Sequence, residues 1–294
     1  CRILLVRFFI RQLQCSIYCR EQLNIVSNEG IQMTDISSLS FKQRSTLFAK
    51  ISQLAYYTDK ATRKQAKRLG FSVRRFYNLG ESQAYLLESD TDIVVACRGT
   101  EPTAFKDIQA DLNAWPAPSE TVSRVHAGFK GYVDYLWTQV ERDVLKSDKK
   151  LWFTGHSLGG AMATLMAFRC EHCERLRDPE ELYTYGSPRV GWPKYVKSFS
   201  CVHHRWVNNN DIVARVPFTV MGYRHTGVEH YINAYGNVRK PTGWQRFKDR
   251  MRGLWFGIKQ GKIDSFADHS IGLYIYHCES YERGQENLQG LSVK

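Results

Sequence analysis

The chain has 294 residues, carries a formal net charge of +12, and is 43% hydrophobic and 13% aromatic. A chain of this length and apolar content can bury a large core, which excludes an intrinsically disordered protein and fits one large α/β domain or two small ones. It contains no run of about 18 uninterrupted apolar residues, so we do not expect a membrane-spanning helix.

The positive charge is concentrated in two stretches. Residues 42–75 contain ten basic side chains against Asp59 alone, and residues 239–262 contain eight against Asp249. Such an excess of positive charge favours binding to an anionic partner such as a phospholipid surface. Alternatively, the basic side chains form a solvated face of the protein. No nucleic-acid-binding motif or aromatic stacking pattern accompanies the charge, so we do not expect a nucleic-acid partner.

The first 32 residues differ in pattern from the rest of the chain. They begin CRILLVRFFIRQLQC, where Arg7 and Arg11 interrupt the apolar run, and no small-residue cleavage site follows. A secretory signal peptide needs an unbroken apolar run and such a site. We therefore expect residues 1–32 to be an extension outside the fold and residues 33–294 to form a single domain. The expected location is cytoplasmic or peripheral to a membrane, with secretion as the alternative.

A helix and two strands are the first elements predicted after Met33. Ser40 and Gln43 have the spacing of a capping box, which marks the start of a helix. Apolar residues then recur at helical spacing, namely Phe41, Leu47, Phe48, Ile51 and Leu54. The segments QAYLLES and DIVVACRG predict neighbouring strands joined by a turn at Ser89 and Asp90.

Helices and strands alternate through the middle of the chain. The segment GFKGYVDYLWTQVERDVL has its apolar residues on one helical face, and LWFTG, which follows it, predicts a buried strand. The segment after Ser157 predicts a helix, and LYTYG and VHHRWV predict two further strands. Such alternation predicts an α/β fold with a mainly parallel central sheet and helices on both faces.

A glycine-flanked serine lies between the strand LWFTG and the helix that follows it. The pentapeptide GHSLG, residues 155–159, matches the nucleophile-elbow pattern G-x-S-x-G. A sharp turn from strand to helix strains the backbone at Ser157 and leaves no room for side chains at Gly155 and Gly159. The helix that begins at Leu158 directs its positive end toward the serine. We therefore predict that Ser157 is a nucleophile.

A serine nucleophile needs a histidine base and an acid that orients it. In this type of fold their order along the chain is Ser, then Asp or Glu, then His. Asp211 follows the strand VHHRWV in a turn rich in asparagine, so it is the predicted acid. His269 lies at the start of a predicted helix and is our candidate base, with His225 and His230 as alternates that spacing alone does not separate.

The cysteines do not predict a disulfide framework or a metal site. Three of the eight lie in the first twenty residues, and the others are irregularly spaced. The segment CEHC, with Cys201 and His203 further on, lacks the two well-spaced pairs of ligands that a zinc site needs. We expect no metal.

Seven segments in order resemble the class 3 lipases, an α/β-hydrolase family that includes the fungal triacylglycerol lipases. They are CRGT, DIQADLNAW, VHAGF, TGHSLGGAMA, YGSPRVG, NNNDIVARVP and DHSIGLY, within residues 41–276. The resemblance implies an α/β-hydrolase fold and a serine esterase with Ser157 as nucleophile, Asp211 as acid and His269 as base. It thereby favours His269 over His225 and His230.

The resemblance also implies an oxyanion hole and a short lid. The oxyanion donors would be the backbone amides of Leu158 and Thr100. Residues 101–125 would form the lid, whose apolar stripe of Phe105, Ile108 and Leu112 is narrow. No metal or organic cofactor is implied.

Residues 243–262 form a second amphipathic pattern. Apolar residues fall at helical spacing, and basic residues lie on the other side: Trp244, Phe247, Met251, Leu254, Trp255 and Ile258 against Arg246, Lys248, Arg250 and Arg252. Such a helix can lie in an anionic membrane interface, or it can pack its apolar side on the sheet and leave a solvated basic face. We expect the packed helix.

The leading functional hypothesis is hydrolysis of carboxylic esters of lipids through an acyl-enzyme on Ser157, as in a triacylglycerol lipase or esterase. One alternative is a phospholipase A or lysophospholipase that acts at anionic membranes, which the basic surface favours. Another is a non-catalytic lipid-binding protein of the same fold. The filled Ser, Asp and His positions argue against the latter.

Overall fold

The computed structural model describes residues 35–99, 115–259 and 267–284, and within residues 253–259 and at Ala267 it describes the backbone only. The helices are α1 (Phe41–Leu54), α2 (Asp59–Arg68), α3 (Ala127–Leu145), α4 (Leu158–Glu171), α5 (Pro193–Lys197), α6 (Gly243–Lys259) and α7 (Ile271–Glu282). Short 3₁₀ turns lie at Ile36–Ser38, Val213–Arg215, Thr219–Met221 and Ala267–His269.

The strands of the described chain form one large sheet and one small one. They are β1 (Ser72–Leu79), β2 (Ser82–Glu88), β3 (Asp92–Cys97), β4 (Pro116–Pro118), β5 (Arg124–His126), β6 (Lys150–His156), β7 (Glu181–Tyr185), β8 (Val202–Asn208), β9 (Val228–Ile232) and β10 (Val238–Arg239). The large sheet has the order β1-β2-β3-β6-β7-β8-β9-β10, and β4 pairs with β5.

The centre of the large sheet is parallel and its edges are antiparallel. Strands β3, β6, β7, β8 and β9 run parallel to one another, with Val95 opposite Phe153 and Gly155 opposite Thr184. Antiparallel pairs extend the sheet at both ends, with β1 and β2 at one and β10 at the other. The carboxyl ends of the parallel strands therefore meet at one edge, where sites in such folds are found.

Helices cover both faces of the sheet, as the alternating pattern predicts. One core includes Phe129 and Leu136 of α3 together with Met162 of α4. The other includes Phe48 of α1 and Tyr274 of α7. Helix α4 is buried from Leu158 to Cys170, so the elbow helix lies at the centre of the molecule.

Local signals account for several of these boundaries. The Ser40 hydroxyl accepts from the Gln43 amide while the Gln43 side chain accepts from the Ser40 amide, so the predicted capping box starts α1. Every residue of β3 is buried, as the apolar run DIVVAC predicts. The predicted strands QAYLLES, LWFTG, LYTYG and VHHRWV correspond to β2, β6, β7 and β8.

The prediction that the amphipathic segment packs its apolar side on the sheet is wrong for residues 243–252, and the side chains of residues 253–262 lie outside the described part of the structure. Trp244, Phe247 and Met251 of α6 are exposed, whereas Asp249 is buried against the protein. The reason is that Asp249 accepts hydrogen bonds from the Tyr231 hydroxyl and the Ala234 amide, which hold the polar side of α6 inward. Residues 1–32, Thr100 and the apolar stripe of the predicted lid lie outside the described residues.

Candidate active site

Ser157 lies at a sharp turn between the end of β6 and the start of α4. Its backbone has φ 59° and ψ −133°, and the side chain is fully buried. A Cβ atom at Gly159 would lie 2.2 Å from the carbonyl oxygen of Cys97, and one at Gly155 would lie 2.3 Å from the carbonyl oxygen of Gly159. Neither position has room for a side chain, which is the requirement inferred from the pattern G-x-S-x-G.

Asp211 and His269 meet beside this turn. His269 Nδ1 lies 2.8 Å from Asp211 Oδ2, and neither side chain has any exposure to solvent. Because a carboxylate only accepts, Nδ1 carries the hydrogen of this bond, and Nε2 of a neutral ring carries the lone pair. The other carboxylate oxygen, Oδ1, accepts from the Val213 amide at 2.8 Å, which fixes the orientation of the carboxylate.

The strand β7 connects Ser157 to this pair. The Ser157 amide donates to the carbonyl oxygen of Tyr185, the last residue of β7, at 3.0 Å. The next residue, Gly186, has φ 58°, and a Cβ atom there would lie 2.6 Å from Asp211 Oδ2 and 2.8 Å from His269 Nδ1. The three predicted residues Ser157, Asp211 and His269 therefore converge at the carboxyl edge of the parallel strands.

Tyr274 is a member of the site that the sequence analysis missed. Its hydroxyl donates to Asp211 Oδ2 at 2.6 Å and accepts from the Asn208 amide at 3.0 Å. Burial and the neighbouring Asp211 raise the pKa of Tyr274 well above its ordinary value, so the hydroxyl keeps its proton. The segment DHSIGLY contains Tyr274, but no local signal connects it to an aspartate 63 residues earlier.

His156 holds the elbow and the base together. Its Nε2 lies 2.6 Å from the carbonyl oxygen of His269, so Nε2 donates, and its Nδ1 lies 2.8 Å from the Tyr56 hydroxyl. Burial, and then the nearby His269 ring, lower the pKa of His156 well below its ordinary value. A neutral His156 accepts at Nδ1 from Tyr56, so the residue before the nucleophile positions the backbone of the candidate base.

The alternate histidines lie elsewhere. His225 Nε2 lies 2.8 Å from the carbonyl oxygen of Ala214. His230 stacks on Trp206 and lies beside His204, with 3.1 Å between His204 Nδ1 and His230 Nε2. The structure brings His269 to Asp211, and neither of the alternates has a hydrogen bond to it among the described contacts.

The predicted oxyanion donors are described only in part. Leu158 is the first residue of α4, where an amide has no acceptor within the helix. Thr100 lies outside the described residues, but Gly99 before it is adjacent to the elbow. A Cβ atom at Gly99 would lie 2.4 Å from the Tyr56 hydroxyl and 3.0 Å from Ser157 Cβ.

The described residues contain no group of three or more His, Cys, Asp or Glu side chains that could hold a metal ion. Cys170, from the segment CEHC, is buried in the apolar core. None of the described helices is long and apolar enough to cross a membrane.

The sheet is mainly parallel, a serine lies at the strand-to-helix elbow, and an Asp–His pair lies at the same edge. These features define an α/β-hydrolase with a Ser-His-Asp arrangement. The sequence model of the family Lipase (class 3) matches residues 94–221, which include Ser157 and Asp211. Over residues 94–221 the chain therefore matches the class 3 lipase family, in agreement with the resemblance found in its motifs.

Comparison with known proteins identifies both bacterial and fungal relatives. The toxin TseL of Vibrio cholerae serotype O1 is 30% identical over 243 residues, which is 67% of this chain and 37% of the toxin. Secreted mono- and diacylglycerol lipase 1 of Fusarium solani is 41% identical over 87 residues, which is 29% of this chain and 25% of that protein. The solved structure of lipase II from Rhizopus niveus is similar with a TM-score of 0.58 and 27% identity, covering 65% of this chain and 80% of that chain.

The chain spans less than half the length of these two curated relatives. The Fusarium relative is named as a secreted protein, which fits the secreted alternative and not the cytoplasmic location favoured by the sequence analysis.

Proposed function

We propose that the protein hydrolyses carboxylic esters of lipids through an acyl-enzyme on Ser157. The observation that carries the proposal is the 2.8 Å bond between His269 Nδ1 and Asp211 Oδ2, buried beside the elbow of Ser157. A serine hydroxyl is a weak nucleophile until a base accepts its proton, and an oriented imidazole is the base that acyl-transfer enzymes use.

In the acylation step, Ser157 Oγ attacks the carbonyl carbon of the ester while His269 Nε2 takes the hydroxyl proton. Asp211 stays ionised, holds the Nδ1 hydrogen and stabilises the imidazolium that forms. Collapse of the tetrahedral intermediate breaks the carbon–oxygen bond to the alcohol, and His269 returns the proton to the departing alkoxide. The products of this step are the free alcohol and an acyl ester on Ser157.

In the deacylation step, water attacks the acyl ester and gives its proton to His269, and the fatty acid departs as Ser157 regains its hydrogen. The oxyanion of both intermediates lies at the positive end of α4, where the Leu158 amide donates to it. The Thr100 amide is the second proposed donor. Loss of one such donor lowers the rate by about a hundred- to a thousand-fold.

The proposed substrates are neutral acylglycerols. The relatives support this choice, because one is named a mono- and diacylglycerol lipase and the similar solved structure is a lipase. The phospholipase and non-catalytic hypotheses have no such support from these names. All three positions of the Ser-Asp-His set are occupied and two of them are hydrogen bonded, which favours an active enzyme over a lipid carrier.

The test is hydrolysis of p-nitrophenyl esters of increasing chain length, followed by emulsified triacylglycerol, diacylglycerol and phosphatidylcholine. We expect Ser157→Ala to lower kcat by at least about 10⁴-fold, since the residual rate would come from binding and the oxyanion site alone. Ser72→Ala is the matched control, because Ser72 is an exposed serine on β1. Full activity in Ser157→Ala would overturn the mechanism, and faster release of fatty acid from phosphatidylcholine than from acylglycerols would overturn the substrate.

We also propose that the protein acts outside the cytoplasm, which the name of the secreted Fusarium relative supports. Immunoblots of culture medium and cell lysate from the source organism, with a cytoplasmic marker as control, test this. Retention of the full-length protein with the marker would contradict it.

A further inference from the structure

Helix α6 presents an apolar stripe to solvent. Trp244, Phe247 and Met251 are 63%, 53% and 50% exposed. Residues three and seven apart lie on one face of a helix, so these side chains form one stripe. The rings of Trp244 and Phe247 stack with their centroids 5.5 Å apart, which makes the upper half of the stripe a single aromatic surface.

The opposite side of α6 attaches it to the protein through polar contacts. Buried Asp249 accepts from the Tyr231 hydroxyl at 2.9 Å and from the Ala234 amide at 3.0 Å. Arg246 forms an ion pair with Glu229, and its guanidinium group lies over the ring of Tyr231 at 4.8 Å. A surface helix ordinarily buries its apolar stripe. The described side chains of α6, residues 243–252, have the inverse arrangement, so burial in the described part of the chain does not account for Trp244, Phe247 and Met251.

Basic side chains border the stripe. Between Gly243 and Arg252 the helix has four cations and only one carboxylate, and that carboxylate is buried. Lys248 is exposed and its ammonium group lies 5.1 Å above the Trp244 ring. The side chain of Arg252 is 41% exposed, although its guanidinium group also lies 3.7 Å from Asp249. Exposed aromatic residues flanked by Lys and Arg are the composition of a helix that lies in an anionic membrane interface.

Helix α6 packs along β9, and the contact of its Asp249 with Ala234 lies at the sheet edge that carries the candidate active site. Ala234, which donates to Asp249, follows the carboxyl end of β9, and this edge also carries Ser157 and His269. The exposed side chains of Phe218 and Val220 lie on the segment that follows Asp211. A membrane bound by α6 would therefore contact the protein beside β9, the strand next to β8, after which Asp211 lies.

We propose that α6 is a docking helix for an anionic phospholipid surface. Trp244, Phe247 and Met251 insert among the upper acyl chains, and Lys248 and Arg252 pair with lipid phosphates. The occupant is a membrane rather than an acidic protein or a nucleic acid. The continuous apolar stripe can enter the hydrocarbon boundary of a bilayer, and the basic side chains beside the stripe would then lie at the level of the lipid phosphates. This binding goes beyond the proposed hydrolysis and does not require it.

The test is co-sedimentation of the full chain with vesicles of phosphatidylcholine alone or mixed with about one-quarter phosphatidylglycerol. We expect strong binding to the anionic vesicles only, weakened at about 0.5 M NaCl by screening. The triple variant Trp244→Ala, Phe247→Ala, Met251→Ala should reduce the bound fraction at least about tenfold, and the pair Lys248→Glu, Arg252→Glu should remove the preference for anionic lipid.

Two controls make the result specific. Tyr135→Ala removes an equally exposed aromatic side chain from α3 and should bind as the unaltered chain does. Ser157→Ala should also bind fully, which separates this proposal from the proposed hydrolysis. Circular dichroism and thermal unfolding establish that each variant folds. Binding that is indifferent to lipid charge, or a triple variant that binds like the unaltered chain, would overturn the proposal. So would the absence of vesicle binding by a folded chain that instead retains an acidic protein or nucleic acid.

Discussion

Tyr274 donates its hydroxyl hydrogen to Asp211 Oδ2 at 2.6 Å, the same oxygen that accepts from His269 Nδ1. Tyr274 itself touches neither Ser157 nor His269 through a hydrogen bond in the described contacts, so it acts by holding the carboxylate. Its hydroxyl also accepts from the Asn208 amide at 3.0 Å. One side chain therefore ties the end of β8 to the proposed acid.

Tyr274→Phe should lower kcat by about tenfold, which corresponds to about 1.4 kcal/mol of transition-state stabilisation. Removal of the hydroxyl leaves the Asn208 amide without its acceptor, so the free energy of unfolding should fall by about 1–3 kcal/mol. Initial rates with p-nitrophenyl butyrate and urea unfolding curves measure the two effects. Tyr276→Phe, on the same helix, is the matched control. Equal kcat values for the two variants would contradict the positioning role.

Asp211→Asn should lower kcat by roughly 10³- to 10⁴-fold with little change in KM. The amide cannot stabilise the imidazolium, and its NH₂ group facing His269 Nδ1 favours the tautomer whose Nε2 carries the hydrogen. Steady-state kinetics on a soluble short-chain ester measure the loss, and circular dichroism shows whether the fold is retained. A folded variant with at least a tenth of the unaltered kcat would exclude Asp211 as the acid.

The central strands and the elbow could be predicted from the sequence because local patterns determine them. DIVVAC and LWFTG are mostly apolar, and each forms a buried strand in the parallel centre of the sheet. The elbow was recognisable because only glycine fits beside Ser157 at both flanking positions. In the strands burial is complete, and at the elbow the backbone geometry is restrictive, so both leave a local pattern in the sequence.

Features that depend on distant contacts could not be predicted in this way. The choice of His269 over His225 depends on which imidazole ring reaches Asp211, and Asp211 lies 58 residues before His269. The spacing of residues along the sequence does not give their distance in space. The orientation of α6 was predicted wrongly because its apolar stripe suggested burial, while the bonds from Tyr231 and Ala234 to Asp249 decide which side faces the protein. Strand β1 was missed because its two charged residues, Arg74 and Arg75, are consecutive and interrupt the alternation of polar and apolar residues that marks a strand.

Gly186→Ala should reduce kcat by at least about a hundredfold, because the new methyl group would displace the Asp211–His269 pair. Its Cβ would lie 2.6 Å from Asp211 Oδ2 and 2.8 Å from His269 Nδ1. Gly284→Ala is a matched control, since Gly284 has a similar φ of 67° but no heavy atom within 4 Å of a Cβ placed there. Both variants share a backbone strain of about 1–2 kcal/mol, so a loss of activity confined to Gly186→Ala isolates the steric effect. Equal activities would contradict it.

His126 should make the stability of the fold depend on pH. It is buried at the start of α3, where its Nδ1 accepts from the Phe129 amide at 3.3 Å, and burial lowers its pKa to about 4. The unfolded chain binds a proton at this histidine near pH 6.5, and the folded chain does not until about pH 4. The free energy of unfolding is therefore fully retained above about pH 6.5 and falls as the pH drops toward 4, by up to about 1.4 kcal/mol per pH unit.

His126→Asn tests this origin of the pH dependence, because asparagine keeps an acceptor at the helix start but does not titrate. Urea unfolding at about pH 7.5, 6.0 and 5.0 measures the free energy of unfolding for both chains. We compare slopes rather than absolute values, since the substitution also removes the ring stacked on Phe129 at 3.9 Å. Below pH 6.5 the free energy of unfolding of the variant should fall less steeply with pH. The difference in slope should approach about 1.4 kcal/mol per pH unit, which corresponds to one bound proton. Parallel slopes would show that the acid sensitivity comes from the other buried histidines, of which His203 and His225 also have a pKa lowered by burial.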